Sequence, residues 1–225
     1  MEWIIKILLG IHITAGFTSI VIFWIPMLSR KGGKLHIKSG KLYVWAMWVV
    51  VCSAALLSIK NIIIGNYNSA IFLGFLTIIT SGPLWYAIAI LNQKKGRTPE
   101  YKQKLFYFNL SVVLCAIAMI SYGFVIESGI KILMFIFGGL GLTSIPDVLR
   151  HLRGKEKKLT WIQEHLIGMI STGIAAYTAF LVFGGQQFFG QFFRGNSVII
   201  LWTAPGVLGT IANFYFSRKY AAKKK

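Results

Sequence analysis

The chain has 225 residues, of which 56% are hydrophobic and 13% carry a charge, and its formal net charge is +18. A soluble globular domain carries about 25% charged residues, so this composition excludes an ordinary soluble protein. The basic excess does not indicate a nucleic-acid-binding protein, because the bases lie at the ends of apolar segments and not in a polar module with interleaved aromatic residues.

Seven apolar segments follow one another along the chain. Each is long enough to cross a bilayer as a helix, which takes about 20 residues. The alternating ten-residue pattern of membrane strands is absent from the sequence. We therefore predict an all-α membrane bundle that forms a single domain over residues 1–225. The predicted helices cover residues 3–28, 42–64, 69–92, 105–126, 129–147, 161–184 and 198–217.

The basic residues are gathered in four clusters, which follow the first, third, fifth and seventh segments. Loops rich in Lys and Arg stay in the cytoplasm, so we predict an N-terminus outside and a C-terminus in the cytoplasm. The clusters are expected to meet anionic lipid headgroups at the cytoplasmic face. They hold 20 of the 24 bases: Arg30, Lys31, Lys34, Lys38 and Lys41; Lys94, Lys95, Arg97, Lys102 and Lys104; Arg150, Arg153, Lys155, Lys157 and Lys158; Arg218, Lys219, Lys223, Lys224 and Lys225.

Four prolines indicate an internal repeat. Pro26 and Pro146 end the first and fifth segments, while Pro83 and Pro205 lie in the third and seventh. The separation from Pro26 to Pro83 is 83 − 26 = 57 residues, and from Pro146 to Pro205 it is 205 − 146 = 59. This predicts parallel repeats of three helices joined by a fourth, an arrangement known in transporters.

Polar side chains within the apolar segments are the first candidates for a functional site, because such groups are costly in a membrane. Our first hypothesis is small-molecule or ion transport, or ligand binding, through an intramembrane cavity between the two three-helix halves. The alternative for His12 is a packing role, hydrogen-bonded to a neighbouring helix. The predicted lining consists of His12, Thr80, Ser81, Thr143, Ser144 and Thr172.

Histidines and acids at the cytoplasmic ends give a second hypothesis, a membrane-embedded redox enzyme that uses a transition metal or haem. His12 and His165 lie at different depths, so haem would need His165 or Met169 together with another inner ligand. We expect His36, His151 and His165 on one membrane face, with His165 turned into the bundle. The alternative is that these groups are solvated or salt-bridged. The candidate ligands are His36, Asp147, His151, Glu164, His165 and Met169.

Two patterns carry a resemblance to a known family. One is H-x-x-x-G-x-x-Y from His36 to Tyr43, and the other is H-x-x-x-M from His165 to Met169, followed by T-A-F from Thr178. Together they resemble an uncharacterised bacterial family of predicted seven-helix membrane proteins, a domain of unknown function. The resemblance implies a multi-pass protein of the cytoplasmic (inner) membrane and implies no activity. A third hypothesis is therefore a structural or accessory subunit of a membrane complex, and the sequence leaves the ligand, catalysis and oligomeric state open.

Overall fold

A computed structural model describes residues 2–155, 159–185 and 198–220 of the chain. All regular structure in these ranges is helical, and Lys157, Lys158 and residues 223–225 of the basic clusters lie outside them. A 3-10 turn, Ile90–Asn92, extends α3, and a π-helical turn, Phe180–Gly184, extends α7. The α-helices are α1 (Glu2–Leu28), α2 (Lys34–Ile63), α3 (Tyr67–Ala89), α4 (Pro99–Val125), α5 (Lys131–Leu142), α6 (Ile145–Leu152), α7 (Trp161–Ala179) and α8 (Val198–Lys219).

Seven helical segments in the described ranges are long and apolar enough to cross a membrane, with α5 and α6 together forming the fifth. The all-α prediction and the seven predicted spans are thereby confirmed, and the chain is a multi-pass integral membrane protein. The outermost spans, α1 and α8, are the least buried, and α7 is the most buried. Large apolar side chains stay exposed along α1 and α8, as expected of surfaces that face lipid.

Two helices begin well before their predicted starts. α2 begins at Lys34 instead of residue 42, and α4 begins at Pro99 instead of residue 105. With 30 residues and a rise of 1.5 Å per residue, α2 is about 45 Å long, which matches a bilayer with its headgroups. Hydropathy marks only the part in hydrocarbon, whereas the helix continues through the headgroup region. For α4 the start signal is local: Thr98 caps the helix by accepting a hydrogen bond from Tyr101 N, and Pro99 opens it.

The fifth span differs from the continuous helix predicted over residues 129–147. It consists of α5 and α6, separated at Thr143 and Ser144, and it continues to Leu152. Pro146 explains the break, because proline lacks an N–H and its ring clashes with the carbonyl four residues earlier, which is that of Leu142. The short α6 therefore carries the first part of the third basic cluster on a helix of its own.

α7 packs closely against α3. α7 also contacts α1 and α8, while α4 packs against α3, α5 and α6. A methyl group built on Gly168 of α7 would lie 2.7 Å from Ala87 Cβ and 2.9 Å from the Pro83 carbonyl oxygen of α3. The two backbones thus approach closely at this glycine, as small residues allow in membrane helices.

A hydrogen-bond chain joins α2 to α7 in the bundle core. The Tyr43 hydroxyl donates to Thr172 Oγ1 at 2.8 Å, and Thr172 Oγ1 donates to the Met169 carbonyl at 2.8 Å. Tyr43 and Thr172 are both fully buried. Both hydroxyl hydrogens therefore have an acceptor, which is what a buried polar group in an apolar core requires.

Candidate functional site

Contacts across the bundle bring the basic loops to one end, called the basic end below. Lys94 Nζ lies 4.8 Å from the centre of the Trp161 ring, which joins the loop after α3 to the start of α7. Lys31 donates to the carbonyls of Pro26 and Met27 at the end of α1. Burial and, to a smaller extent, the charge of Lys219 lower the pKa of Lys31, so the end of α8 lies close to the first loop.

A cavity of about 70 Å³ opens at the basic end, between the starts of α4 and α7 and the helix α6. One water needs about 15 Å³ of such volume, so this cavity has room for several waters or a small anion. We call it the basic-end cavity. Its polar lining residues are Arg97, Tyr101, Lys102, Asn109, Asp147, Arg150, His151, Lys155 and Glu164.

The lining of the basic-end cavity is positively charged. It has four bases and two carboxylates, a formal balance of 4 − 2 = +2 with neutral histidine. Arg150 forms an ion pair with Asp147, and the His151 ring stacks on Phe106 with 4.4 Å between ring centres. The positive surplus favours a negatively charged ligand over a cation.

A buried ion pair forms one wall of the cavity. Glu164 of α7 is only 1% exposed, and its Oε2 lies 2.9 Å from Nη2 of Arg97, which is 18% exposed. Arg97 Nη2 also donates to the Leu159 carbonyl at 2.8 Å. Burial acts to lower the pKa of Arg97, but the hydrogen bond and charge of Glu164 outweigh it and raise that pKa. The guanidinium is therefore held as a cation at a fixed place beside the cavity.

Tyr101 lines the same cavity and has a buried hydroxyl. Its side chain is 5% exposed and stacks on Trp85 with 6.0 Å between ring centres. Its hydroxyl is buried and has no hydrogen-bond partner in the described part of the chain. Buried polar groups nearly always have a partner, whereas the described residues supply none to this hydroxyl.

The structure distributes the six predicted metal ligands among three places. Asp147, His151 and Glu164 line the basic-end cavity, and Met169 packs against the apolar cluster around Tyr43. His36 and His165 contact each other elsewhere at the basic end, with 6.5 Å between their ring centres. Within the described ranges, no three His, Cys, Asp or Glu side chains are grouped closely enough to hold one metal ion.

Two of the six residues predicted to line an intramembrane cavity bridge pairs of helices. His12 of α1 forms a hydrogen bond from Nδ1 to Ser53 Oγ of α2 at 2.8 Å, which is the packing role considered as its alternative. Thr172 bonds to Tyr43, as described above. Both side chains thus have protein partners.

No hydrogen bond in the described part of the chain joins the other four residues to these two. Ser81 donates to the Ile78 carbonyl of its own helix, and Thr143 is exposed and donates to the Leu140 carbonyl. Thr80 and Ser144 are half-buried. Hydroxyl groups in apolar helices commonly bond to the carbonyl three or four residues earlier, and the hydroxyls of Ser81 and Thr143 follow that pattern. The described hydrogen bonds do not join these residues into one lining.

Comparison of the chain with protein-family models, with curated proteins and with solved structures finds no match. The functional conclusion therefore depends on the geometry of the basic end. Asp147, His151 and Glu164 were predicted from the sequence to belong to a site at this end. Arg97 was used there only as an indicator of topology, and neither Arg97 nor Tyr101 was predicted as a site residue.

Proposed function

We propose that the protein is a small-molecule transport or ligand-binding protein of the cytoplasmic membrane, and that it takes a small anion at the basic-end cavity. The observation that carries this proposal is the positive balance of the cavity lining, in which Arg97 is held in place by the buried Glu164. A preformed site with a few convergent polar groups is typical of ligand binding.

The chemistry of the lining favours an oxyanion. Asn109 offers an amide donor, while Lys102, Arg150 and Lys155 supply positive charge. Oxygen anions accept hydrogen bonds from all of these groups, and bonds between charged partners are about twice as strong as neutral ones. The role of Glu164 is to hold the Arg97 guanidinium in place, so the position of this cation in the cavity lining is fixed.

The wider assignment to transport is supported by sequence alone. The basic clusters favour a cytoplasmic orientation for the cavity mouth, and the proline spacing favours two parallel three-helix repeats with α4 between them. The resemblance to an uncharacterised family of membrane proteins agrees with this assignment and adds no substrate to it.

Thermal unfolding of the purified protein in detergent tests anion binding, with sodium phosphate as the probe and sodium chloride of equal ionic strength as the reference. A ligand at 100 times its Kd stabilises the folded state by about 2.7 kcal/mol. We expect phosphate to raise the Tm more than chloride does.

Arg150→Ala is expected to abolish the phosphate-specific stabilisation, because it removes a cation that is paired with Asp147 and so makes the lining less positive. Lys131→Ala is the matched control, since Lys131 begins α5 at the opposite end of the bundle. Equal effects of phosphate and chloride, or an equal loss in both variants, would contradict the proposal.

A further inference from the structure

Two histidines at the basic end are held in matching ways. His36 lies in the first turn of α2, and His165 lies near the start of α7. His36 Nδ1 is 2.9 Å from the Pro26 carbonyl oxygen, and His165 Nδ1 is 2.7 Å from the Ala87 carbonyl oxygen. A carbonyl can only accept a hydrogen bond, so each Nδ1 carries the hydrogen. Each neutral ring therefore has its free lone pair on Nε2.

Neither Nε2 atom has a hydrogen-bond partner among the described residues. Histidines that bind metals usually donate their other ring N–H to a backbone carbonyl or a carboxylate, which fixes the tautomer and the ring orientation. His36 and His165 both show this arrangement. The carbonyls that hold them belong to the last turns of α1 and α3, and the Pro26 carbonyl also accepts a hydrogen bond from Lys31 Nζ.

The distance between the rings fits coordination of one metal by both histidines. Metal–nitrogen bonds of about 2.0 Å, with about 1.1 Å from nitrogen to ring centre, place two opposed imidazole centres about 6.2 Å apart. The observed separation is 6.5 Å, with 70° between the ring planes. We propose that His36 and His165 bind a transition metal through their Nε2 atoms as two opposed ligands. The metal is supplied either as a Cu⁺ ion or as haem iron.

The surroundings favour these two sources over a divalent ion such as Zn²⁺. Structural zinc takes four protein ligands and catalytic zinc takes three. Among the described residues, no three His, Cys, Asp or Glu side chains lie close enough together to hold a metal ion. Lys31 places positive charge near His165, which adds to the cost of a divalent ion. Lys31 already offsets the negative C-terminal end of α1, whereas the C-terminal end of α3 contributes partial negative charge, which suits a monovalent ion or an iron whose charge the porphyrin offsets.

Metal analysis and absorption spectroscopy of the purified protein distinguish the two sources. Haem would give a Soret band and one iron per chain. Without haem, the protein is titrated with Cu⁺ under reducing conditions against a chromophoric chelator, and we expect one tightly bound ion per chain. Wild-type protein that holds no haem and binds no Cu⁺ would overturn the proposal.

His36→Asn and His165→Asn test the ligands without removing their structural bonds, since an Asn amide can still donate to the same carbonyl. Each variant is expected to remain folded and to lose the haem, or at least tenfold in Cu⁺ affinity. His12→Asn is the matched control and should retain the metal. Binding that survives in the double variant at His36 and His165 would also overturn the proposal. Phosphate stabilisation at the basic-end cavity should persist in these variants, so the two proposals fail or succeed independently.

Discussion

Replacing Gly168 by alanine tests the packing on which the basic end depends. The new Cβ would lie 2.7 Å from Ala87 Cβ and 2.9 Å from the Pro83 carbonyl oxygen, whereas carbon atoms normally pack at about 3.5–4.0 Å. These neighbours are a Cβ and a backbone atom, so no rotation of a side chain can relieve the contact. α3 and α7 must therefore separate locally by about 1 Å.

The expected destabilisation follows from two opposing effects. Overpacking a well-packed site lowers the free energy of unfolding by about 1–3 kcal/mol. The better helix propensity of alanine offsets up to about 1 kcal/mol of this loss. We expect a net loss of about 1–2 kcal/mol. The hydrogen bond from His165 to Ala87 is 2.7 Å long and lies one helical turn away. A separation of about 1 Å would lengthen it to about 3.7 Å, which is beyond hydrogen-bonding range.

Thermal unfolding in detergent measures this effect, with Gly139→Ala as the matched control. Gly139 lies within α5, and a Cβ there would have no neighbour within 4 Å. Gly168→Ala should lower the Tm, whereas Gly139→Ala should leave it unchanged or raise it. If both variants shifted the Tm equally, the close approach of α3 and α7 would be refuted.

Three further predictions concern topology, the buried ion pair and the core. Reporter fusions at Asn66 and Gly96 should report outside and inside respectively, and the reverse result would contradict the orientation. Arg97→Ala should destabilise the protein by about 3–5 kcal/mol because it leaves the buried Glu164 carboxylate without its cationic partner, whereas Lys104→Ala, which breaks an exposed pair, should change the Tm little. Tyr43→Phe should lower the unfolding free energy by about 1 kcal/mol through loss of its interhelical bond, and an unchanged Tm would show that this bond does not stabilise the fold.

The seven spans were predictable because hydrocarbon requires about 20 apolar residues per crossing. The helix ends were not, because the helices continue into the headgroup region, where hydropathy no longer marks them. α2 shows this most clearly, with eight residues, 34–41, before the predicted start. The dipeptide Thr98-Pro99 is a start signal for α4 that the hydropathy pattern masked. Pro146 is likewise a local signal for the break between α5 and α6.

The candidate site was predictable only in part. Glu164, Asp147 and His151 were placed at the basic end by topology, but the partner of Glu164 is Arg97, which lies 67 residues earlier. That contact follows from the packing of α3 beside α7, which no local pattern encodes. Hydroxyls such as that of Ser81 bond within their own helix, so a hydroxyl in an apolar segment does not by itself indicate a cavity lining.

Isothermal calorimetry of phosphate binding to the wild type and to Asn109→Phe tests the central claim most directly. Asn109 lines the basic-end cavity, and a phenyl ring there fills it without changing any charge. The account predicts saturable binding of one phosphate per wild-type chain and none in Asn109→Phe. Equal binding by both proteins would show that phosphate is held by diffuse surface charge and would contradict a ligand site in this cavity.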